Sequence, residues 1–247
     1  MDTNAVTTAY YSRWVGSDLD RLPAGSVQFV YNPARNLRPA GYSETIDLYV
    51  LVFPDRIAVS YGDRAAVGVQ RLRPYLTGPP PVGETAARLE RCFDRAPAHS
   101  LKFVLRQPRL DAGQARRLTA ADYPAYLDFF CACHPGCADV GWLRDYFDAI
   151  VADDLCFGVF QDGRLLSATD APPVPFLSDQ VREIGINTRP DARQKGYARA
   201  VCSACMQSML SRGVCPLWST TWDNIASVRL AQSLGFGPYA ALLSMTL

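Results

Sequence analysis

The residues whose spacing points most clearly to chemistry lie in one segment, RPDARQKGYARAV, from Arg189 to Val201. A proline turn with Arg and Lys side chains and one glycine, Gly196, leads directly into a helical pattern. Free backbone N–H groups and the positive end of the helix dipole would point at this turn, and a glycine lets a ligand approach the backbone. This arrangement favours a diphosphate, although an ordinary solvated turn can have the same composition. The sequence lacks both common nucleotide loops, G-x-x-x-x-G-K-[ST] and G-x-G-x-x-G.

The elements that must position this turn can be predicted from the patterns on either side of it. The β-branched run VREIGINT, Val181 to Thr188, predicts a buried strand before the turn, and a three- and four-residue apolar spacing after it predicts a helix ending near Gly213. Upstream, Asp162-Gly163 between two strand-like runs predicts a hairpin. Two helices are predicted before the hairpin, one capped by Thr119 with Asp122 three residues later and one over residues 141–152.

The first half of the chain has a different pattern of predicted strands and helices. Strands are predicted in VQFVY, TIDLYVLVF, RIAVSYG and LKFVL, and helices over Asn4 to Val15, after Gly62 and over Thr85 to Arg95. The segment TGPPPVGE is a proline-rich break between helices, and RQPRLDAGQARR, residues 106–117, is a second break. The predicted organisation is therefore an N-terminal α/β domain at residues 1–110 and a C-terminal domain at residues 111–247.

The order of predicted elements after residue 116 resembles the GNAT superfamily of acyl-CoA-dependent N-acyltransferases. The family motif R/Q-x-x-G-x-G/A is matched by Arg193 to Ala198, and WDNIASVRLAQSLGF resembles the family's late helix with its terminal Leu-Gly-Phe. The resemblance covers about residues 116–247. It implies an α/β fold with a mixed central sheet flanked by helices, preceded by a smaller α/β domain that could be a degenerate GNAT-like half. That first domain is expected to shape the acceptor site or a subunit interface.

The resemblance also implies acetyl-CoA as co-substrate. The backbone of the strand before the turn would pair with the pantetheine amides, and the turn itself would hold the diphosphate. The residues implied in these two roles are Ile186, Asn187 and Thr188, followed by Arg193, Gln194, Lys195, Gly196, Tyr197 and Ala198. Asn224 and Ser227 lie one helical turn apart and either contact the pantetheine arm or form a helix N-cap followed by a surface serine.

Catalysis of acyl transfer to an amine needs a proton acceptor and a proton donor. Glu183, on the predicted strand, is at a position where some relatives carry a base, and its alternative role is an ion pair with Arg182 or a loop arginine. The family's usual donor, a tyrosine on the late helix, is replaced here by Ala231. Tyr239 or a water molecule is left as the substitute donor. The departure also leaves open a non-catalytic acyl-CoA-binding module.

Composition limits the remaining classes of function. The net charge of +1 shows no overall attraction to nucleic acid or an anionic membrane, and no apolar run is long enough to cross a bilayer. The eight cysteines, with no signal-peptide pattern at the N-terminus, predict reduced thiols and a cytoplasmic protein. The cluster Cys131, Cys133, His134 and Cys137 is too cramped for an ordinary zinc finger, so no metal is predicted.

The sequence thus predicts an N-acyltransferase that moves an acetyl or other acyl group to the amine of a small molecule. An aminoacyl-tRNA-dependent transferase on the same fold is the alternative, and it would require a basic RNA-binding face. A homodimer is possible.

Overall fold

Seven helices and eleven strands form the protein, and the computed structural model describes residues 1–247. The helices are α1 Thr3–Val15, α2 Ala66–Leu72, α3 Val82–Phe93, α4 Tyr123–Cys133, α5 Leu143–Ala152, α6 Tyr197–Ser211 and α7 Ile225–Leu234. The strands are β1 Val27–Tyr31, β2 Leu48–Val52, β3 Ile57–Tyr61, β4 Ala98–Leu105, β5 Arg116–Arg117, β6 Phe157–Gln161, β7 Arg164–Asp170, β8 Val181–Glu183, β9 Gly185–Thr188, β10 Cys215–Thr221 and β11 Phe236–Met245. No helix combines the length and the apolarity needed to cross a membrane.

Local sequence signals set several of these boundaries as predicted. Asp162 and Gly163 both have positive φ angles, 50° and 76°, which is the backbone of the tight turn that joins β6 to β7. Thr119 and Asp122 form the predicted capping box before α4. The helix predicted from Thr85 instead begins at Val82, directly after Pro81, because a proline before a helix start needs no N–H partner.

The strands form two sheets. The larger has seven strands in the order β1-β3-β2-β11-β4-β10-β8, and the smaller has four in the order β5-β6-β7-β9. One face of the large sheet is covered by α1, whose Tyr11 and Trp14 are buried beside Tyr49 and Leu217. On the opposite face, α6 and α7 share a core with Trp218 of β10. Helices α4 and α5 cover the small sheet.

Strand β4 joins the two halves of the chain. It pairs antiparallel with β10 on one side and with β11 on the other, so a strand from the first 110 residues lies between two strands from the second half. Strand β2 then pairs with the other edge of β11. One continuous sheet therefore crosses the predicted boundary at residue 110, and the division into two domains stays a prediction.

The strand predicted over residues 181–188 is broken in the structure. Its first part, β8, pairs in parallel with β10 in the large sheet, and its second part, β9, pairs antiparallel with β7 in the small sheet. Ile184 lies at the break, where its N–H donates to the Leu217 carbonyl at 3.2 Å. A continuous β-branched pattern does not reveal this exchange of partners, because both parts of the run are extended chain and all of its residues except Asn187 are half-buried or buried.

We expect the capping box to stabilise the fold through the charge of Asp122. Hydrogen bonds from Arg116 and from Thr119 lower the pKa of Asp122 to about 2, so its contribution is complete above the unfolded value near 4 and is lost as the pH falls towards 2. Asp122→Ala should lower the free energy of unfolding by about 1–2 kcal/mol at pH 7. Asp148→Ala, which removes an exposed pair with Arg144, should cost about 0.5 kcal/mol or less.

Urea denaturation of the two variants across pH checks this expectation. The difference between Asp122→Ala and the parent should shrink as the pH falls from 4 to 2. A difference that stays constant over that range would show that the charge of Asp122 contributes nothing.

Candidate active site

The central feature of the site is the separation of two adjacent strands. Strands β8 and β10 run in parallel as far as Glu183 and Leu217. Beyond that point β9 pairs only with β7, while β10 continues along β4. The edges of β9 and β10 that face the gap have no partner strand. An extended ligand can hydrogen-bond to such free strand edges as an added strand would. The predicted residues Ile186, Asn187 and Thr188 lie on this edge strand.

The turn after β9 leaves a group of backbone donors free. Gln194 and Gly196 both have left-handed φ angles, 61° and 83°, and Gly196 is the N-cap of α6. None of the N–H groups of residues 194–199 donates to another group of the protein, and the first helical bond is from Ala200 to the Gly196 carbonyl at 3.1 Å. A side chain at Gly196 would meet no atom within 4 Å, so the space beside it is open. The geometry suits an anion held by backbone donors.

The basic side chains of the turn are exposed. Arg193 Nε donates to the Thr188 carbonyl at 3.4 Å, and Lys195 Nζ donates to the Asp191 carbonyl at 3.3 Å. Arg189 is different because it is buried, donates to the Leu165 carbonyl and pairs with Asp128. Arg193 and Lys195 therefore add positive charge beside the free N–H groups, and Arg189 anchors the turn to the small sheet.

Asn224 and Ser227 have structural partners on α7. The Asn224 side chain accepts from the Ser227 N–H at 3.1 Å, which is the helix N-cap that the sequence left as one of two alternatives. The Ser227 hydroxyl accepts from the indole N–H of Trp218 at 3.1 Å, so it is not a free surface serine. Contact of either residue with a pantetheine arm stays a prediction.

A cavity of about 380 Å³ opens where β8 and β10 separate. It is lined by residues 40–42, Asp170, residues 172–175, residues 183–185 and Ser219. Glu183 accepts a hydrogen bond here from the Ser219 hydroxyl. It has no ion pair, so the alternative pairing with Arg182 is wrong: Arg182 pairs with Asp153 instead. The carboxylate of Glu183 is therefore oriented by a neutral donor and remains available to a ligand.

A second carboxylate, Asp170, lies in the same cavity. Its Oδ2 atom accepts from the Tyr146 hydroxyl at 2.6 Å. Burial raises the pKa of Asp170, and the hydrogen bond from Tyr146 opposes that rise. The carboxylate is seated directly over the backbone of Gly185, since a Cβ atom at that position would lie 1.8 Å from Asp170 Oδ1. Any residue other than glycine at 185 would displace it.

The two predicted catalytic residues do not share this cavity. Tyr239 stacks on Tyr11, and its hydroxyl donates to Thr8 on α1 at 3.2 Å. Burial raises the pKa of Tyr239. Ala231, at the position of the family's tyrosine, is fully buried in the core between α6, α7 and the sheet. Tyr239 as proton donor stays a prediction, with no contact to the cavity that holds Glu183.

Tyr42 is the tyrosine that lines the cavity, and no sequence pattern indicated it. Loss of hydration and the negative charge of Glu183 raise its pKa to about 12, which keeps its hydroxyl protonated at neutral pH. Asp170 and Ser219 were also missed. These three residues lie on different elements, so no spacing in the sequence links them, although the polar end of the β7 run SATD marks Asp170 as unusual for a buried strand.

The side chains of the cysteine-rich segment, Cys131, Cys133, His134 and Cys137, do not converge on one point. No group of three or more His, Cys, Asp or Glu side chains is placed to bind a metal. Cys131 and Cys137 are exposed, and His134 packs on the ring of Phe130 at 4.5 Å between centroids.

Comparison with known proteins agrees with the family resemblance seen in the sequence of the second half of the chain. Residues 157–241 match the family model GNAT acetyltransferase. The GNAT-family acetyltransferase of Colwellia psychrerythraea is similar in structure, with 18% identity, a TM-score of 0.50, and coverage of 60% of this chain and 56% of that one. The GCN5-related N-acetyltransferase of Sphaerobacter thermophilus has 14% identity, a TM-score of 0.53, and coverage of 65% and 55%.

A GNAT-family protein from Novosphingobium aromaticivorans has 25% identity, a TM-score of 0.48, and coverage of 60% of this chain and 62% of that one. This chain therefore spans little more than half the length of these structures. No curated protein sequence matches it. The similarities to the Colwellia psychrerythraea and Sphaerobacter thermophilus proteins show a shared fold, and the family match gives the residues, 157–241, to which the family model applies. Residues 157–241, which contain the separated strands and the R-x-x-G-x-A turn, thus match the GNAT acetyltransferase family model, and the two structures share the fold.

Proposed function

We propose that the protein transfers an acetyl group from acetyl-CoA to the amine of a small molecule. The observation that carries this proposal is the gap between β9 and β10, with the free N–H groups of residues 194–199 at one end and the cavity with Glu183 at the other. One extended ligand with a diphosphate at one end and a reactive group at the other fits such an arrangement. Acetyl-CoA supplies an activated thioester when it is bound.

The residues at the turn would hold the diphosphate. The backbone donors of Gln194 to Ala198 are preorganised by the start of α6, and Arg193 and Lys195 add charge from the solvent side. The edge of β9, at Ile186 to Thr188, would pair with the amides of the pantetheine arm. Both roles would be performed by backbone groups, so they do not depend on the exposed side chains of the turn.

Glu183 is proposed as the group that accepts the proton of the attacking amine. Its carboxylate opens into the cavity and is oriented by Ser219, whose hydroxyl donates to it. A base acts only from within hydrogen-bond reach of the proton or through one water, and the cavity provides that space. Tyr42 is the hydroxyl in the same cavity that could return a proton to the leaving thiolate, in place of Tyr239.

Acceptor-dependent release of free thiol tests the proposed function. With acetyl-CoA and a suitable primary amine we expect thiol to appear at a rate that depends on both, and acetyl-CoA to bind in the micromolar range typical of substrates. A thiol reagent measures the release and calorimetry measures the binding. Tight binding of acetyl-CoA with no release for any amine would instead indicate a binding module.

An RNA-dependent transferase predicts a different pattern. It would ignore acetyl-CoA and bind aminoacyl-tRNA in a saturable manner that weakens steeply with salt. Filter binding at two salt concentrations distinguishes this case, and such a result without acetyl-CoA binding would overturn the proposed donor.

A further inference from the structure

We propose that the cavity at the strand separation selects an acceptor that is an organic dication or polycation without a carboxylate, and that Asp170 is the residue that selects it. This inference rests on the proposed function and names the substrate class of the same site. The reacting amine would lie beside Glu183, and a second ammonium group of the acceptor would lie against Asp170. The reaction itself is unchanged: the amine nitrogen forms the new bond to the acetyl carbon, the thiolate leaves, and Glu183 accepts the amine proton.

The charge of the cavity wall is the first observation. Asp170 and Glu183 are the only charged side chains among the residues that line it, and no Lys, Arg or His is present there. An acceptor with a carboxylate, such as an amino acid, would place a third negative charge beside Asp170 and Glu183, with no cationic side chain on the cavity wall to balance it. Like charges brought together at a binding site strongly disfavour such a partner.

The absence of a cationic partner is the second observation. Neither Asp170 nor Glu183 takes part in an ion pair within the protein. Tyr146 is the only side chain that donates to Asp170, and the other hydrogen bond comes from the backbone N–H of Asp170 itself. Buried carboxylates are normally paired, because leaving the negative charge out of water is costly. A cationic ligand would supply the missing partner.

Two nearby basic residues do not supply it. Burial lowers the pKa of Lys102, and the charge of Glu183 opposes that change, yet Lys102 forms no ion pair and does not line the cavity. Arg35 does not line the cavity; its guanidinium lies over the rings of Trp14 and Tyr49 and donates to the Ile46 carbonyl at 3.5 Å. Asp170 has neither residue as a contact.

The placement of Asp170 is the third observation. Gly185 stands where β8 passes into β9, and its missing side chain leaves the space that the Asp170 carboxylate occupies. Tyr146 reaches this carboxylate from α5, 24 residues away in sequence. The chain therefore maintains a half-buried, oriented carboxylate at the strand separation, next to the backbone proposed to bind the donor.

The aromatic wall is consistent with a cation. Tyr42 lines the cavity, remains 41% exposed, and packs edge-to-face against Trp14 with 5.5 Å between ring centroids. A ring fixed in this way can present its face to an ammonium group, which is attracted by the negative face of an aromatic ring. The residues 40–42 come from the first half of the chain, so that half contributes to acceptor recognition under this proposal.

A matched pair of acceptors tests the proposal. 1,4-Diaminobutane and 4-aminobutanoate have the same chain length and differ in a distal ammonium against a distal carboxylate. With acetyl-CoA saturating, we expect kcat/KM for the diamine to exceed that for the amino acid by about a hundredfold or more, as expected when one interaction changes from attraction to repulsion. Calorimetry with coenzyme A bound should show diamine binding without turnover.

Asp170→Asn should lower kcat/KM for the diamine by about ten- to a hundredfold, the range for a charged hydrogen-bonded contact, and leave 4-aminobutanoate unchanged or improved. The amide oxygen of Asn can still accept from Tyr146, so the fold is expected to persist, and circular dichroism checks it. Asp179→Asn, the same change at an exposed aspartate outside the cavity, should change neither rate. Tyr146→Phe should cause a smaller loss of kcat/KM for the diamine, again without a loss for 4-aminobutanoate.

The outcomes separate this proposal from the proposed function. If acetyl-CoA binds and 4-aminobutanoate reacts as well as the diamine, or if Asp170→Asn affects both equally, the acceptor class is wrong and the acetyltransferase function stands. Failure of the diamine to bind in calorimetry also overturns the acceptor class. If acetyl-CoA itself does not bind, the proposed function fails first, and diamine binding lost in Asp170→Asn would still support a cation site.

Discussion

Gly196→Glu is expected to abolish acetyl-CoA binding while the protein stays folded. The substitution places a negative side chain at the N-cap of α6, in the open space beside the free N–H groups of residues 194–199. A diphosphate would then meet both steric exclusion and like charge at the position where backbone donors should hold it. The φ angle of 83° adds strain of about 1–2 kcal/mol for any side chain, which a folded domain of this size can tolerate.

Gly213→Glu is the matched control for this change. Gly213 also has a positive φ angle, 72°, and open space around it, but it follows the C-terminal end of α6. The control therefore carries the same backbone strain and the same added charge at the far end of one helix. Calorimetry with acetyl-CoA should show binding to Gly213→Glu and none to Gly196→Glu. Equal affinity in the two variants would mean that the turn does not hold the donor.

Glu183→Gln is expected to lower kcat by about 10²–10⁴-fold, the usual contribution of general base catalysis. Its effect on acetyl-CoA affinity should be small, because the proposed donor contacts are to the backbone of β9 and the turn. The glutamine oxygen can still accept from Ser219, so the local geometry should persist.

Steady-state kinetics, with acetyl-CoA affinity measured separately, checks this prediction. Glu90→Gln, an identical change at an exposed position on α3, should leave every parameter unchanged. Activity of Glu183→Gln within a few-fold of the parent would remove Glu183 from the chemistry. Ser219→Ala is expected to cause a smaller loss, because it removes only the donor that orients the carboxylate.

Local patterns were sufficient for the elements of the second half. The Asp162-Gly163 turn, the Thr119–Asp122 capping box and the amphipathic α6 all depend on residues close together in sequence, and each is present as predicted. The R-x-x-G-x-A motif indicated the helix start with its free donors for the same reason. Short-range backbone conformation and hydrogen bonding determine these features, so the sequence carries them directly.

The sequence could not show which strands pair. A single half-buried run at residues 181–188 predicts one strand, and the exchange of partners at Ile184 depends on β7 and β10, which compete for different parts of it. The same holds for β4, which crosses from the first half into the sheet of the second. Strand pairing is decided by contacts between distant segments, and periodicity reports only that a residue is buried.

Part of the candidate site could be predicted from the sequence, and part depends on contacts between distant segments. Glu183 and the turn at Arg193 to Ala198 were accessible to sequence reasoning, because a motif and its neighbouring strand fix them. Asp170 and Tyr42 line the same cavity as Glu183, and Tyr146 contacts Asp170, only because a hairpin, helix α5 and a loop of the first half converge where β8 and β10 separate. Sequence thus determined the backbone site proposed for the donor, whereas tertiary structure alone decided the charge of the cavity beside it, since side chains that are far apart in the chain set that charge together.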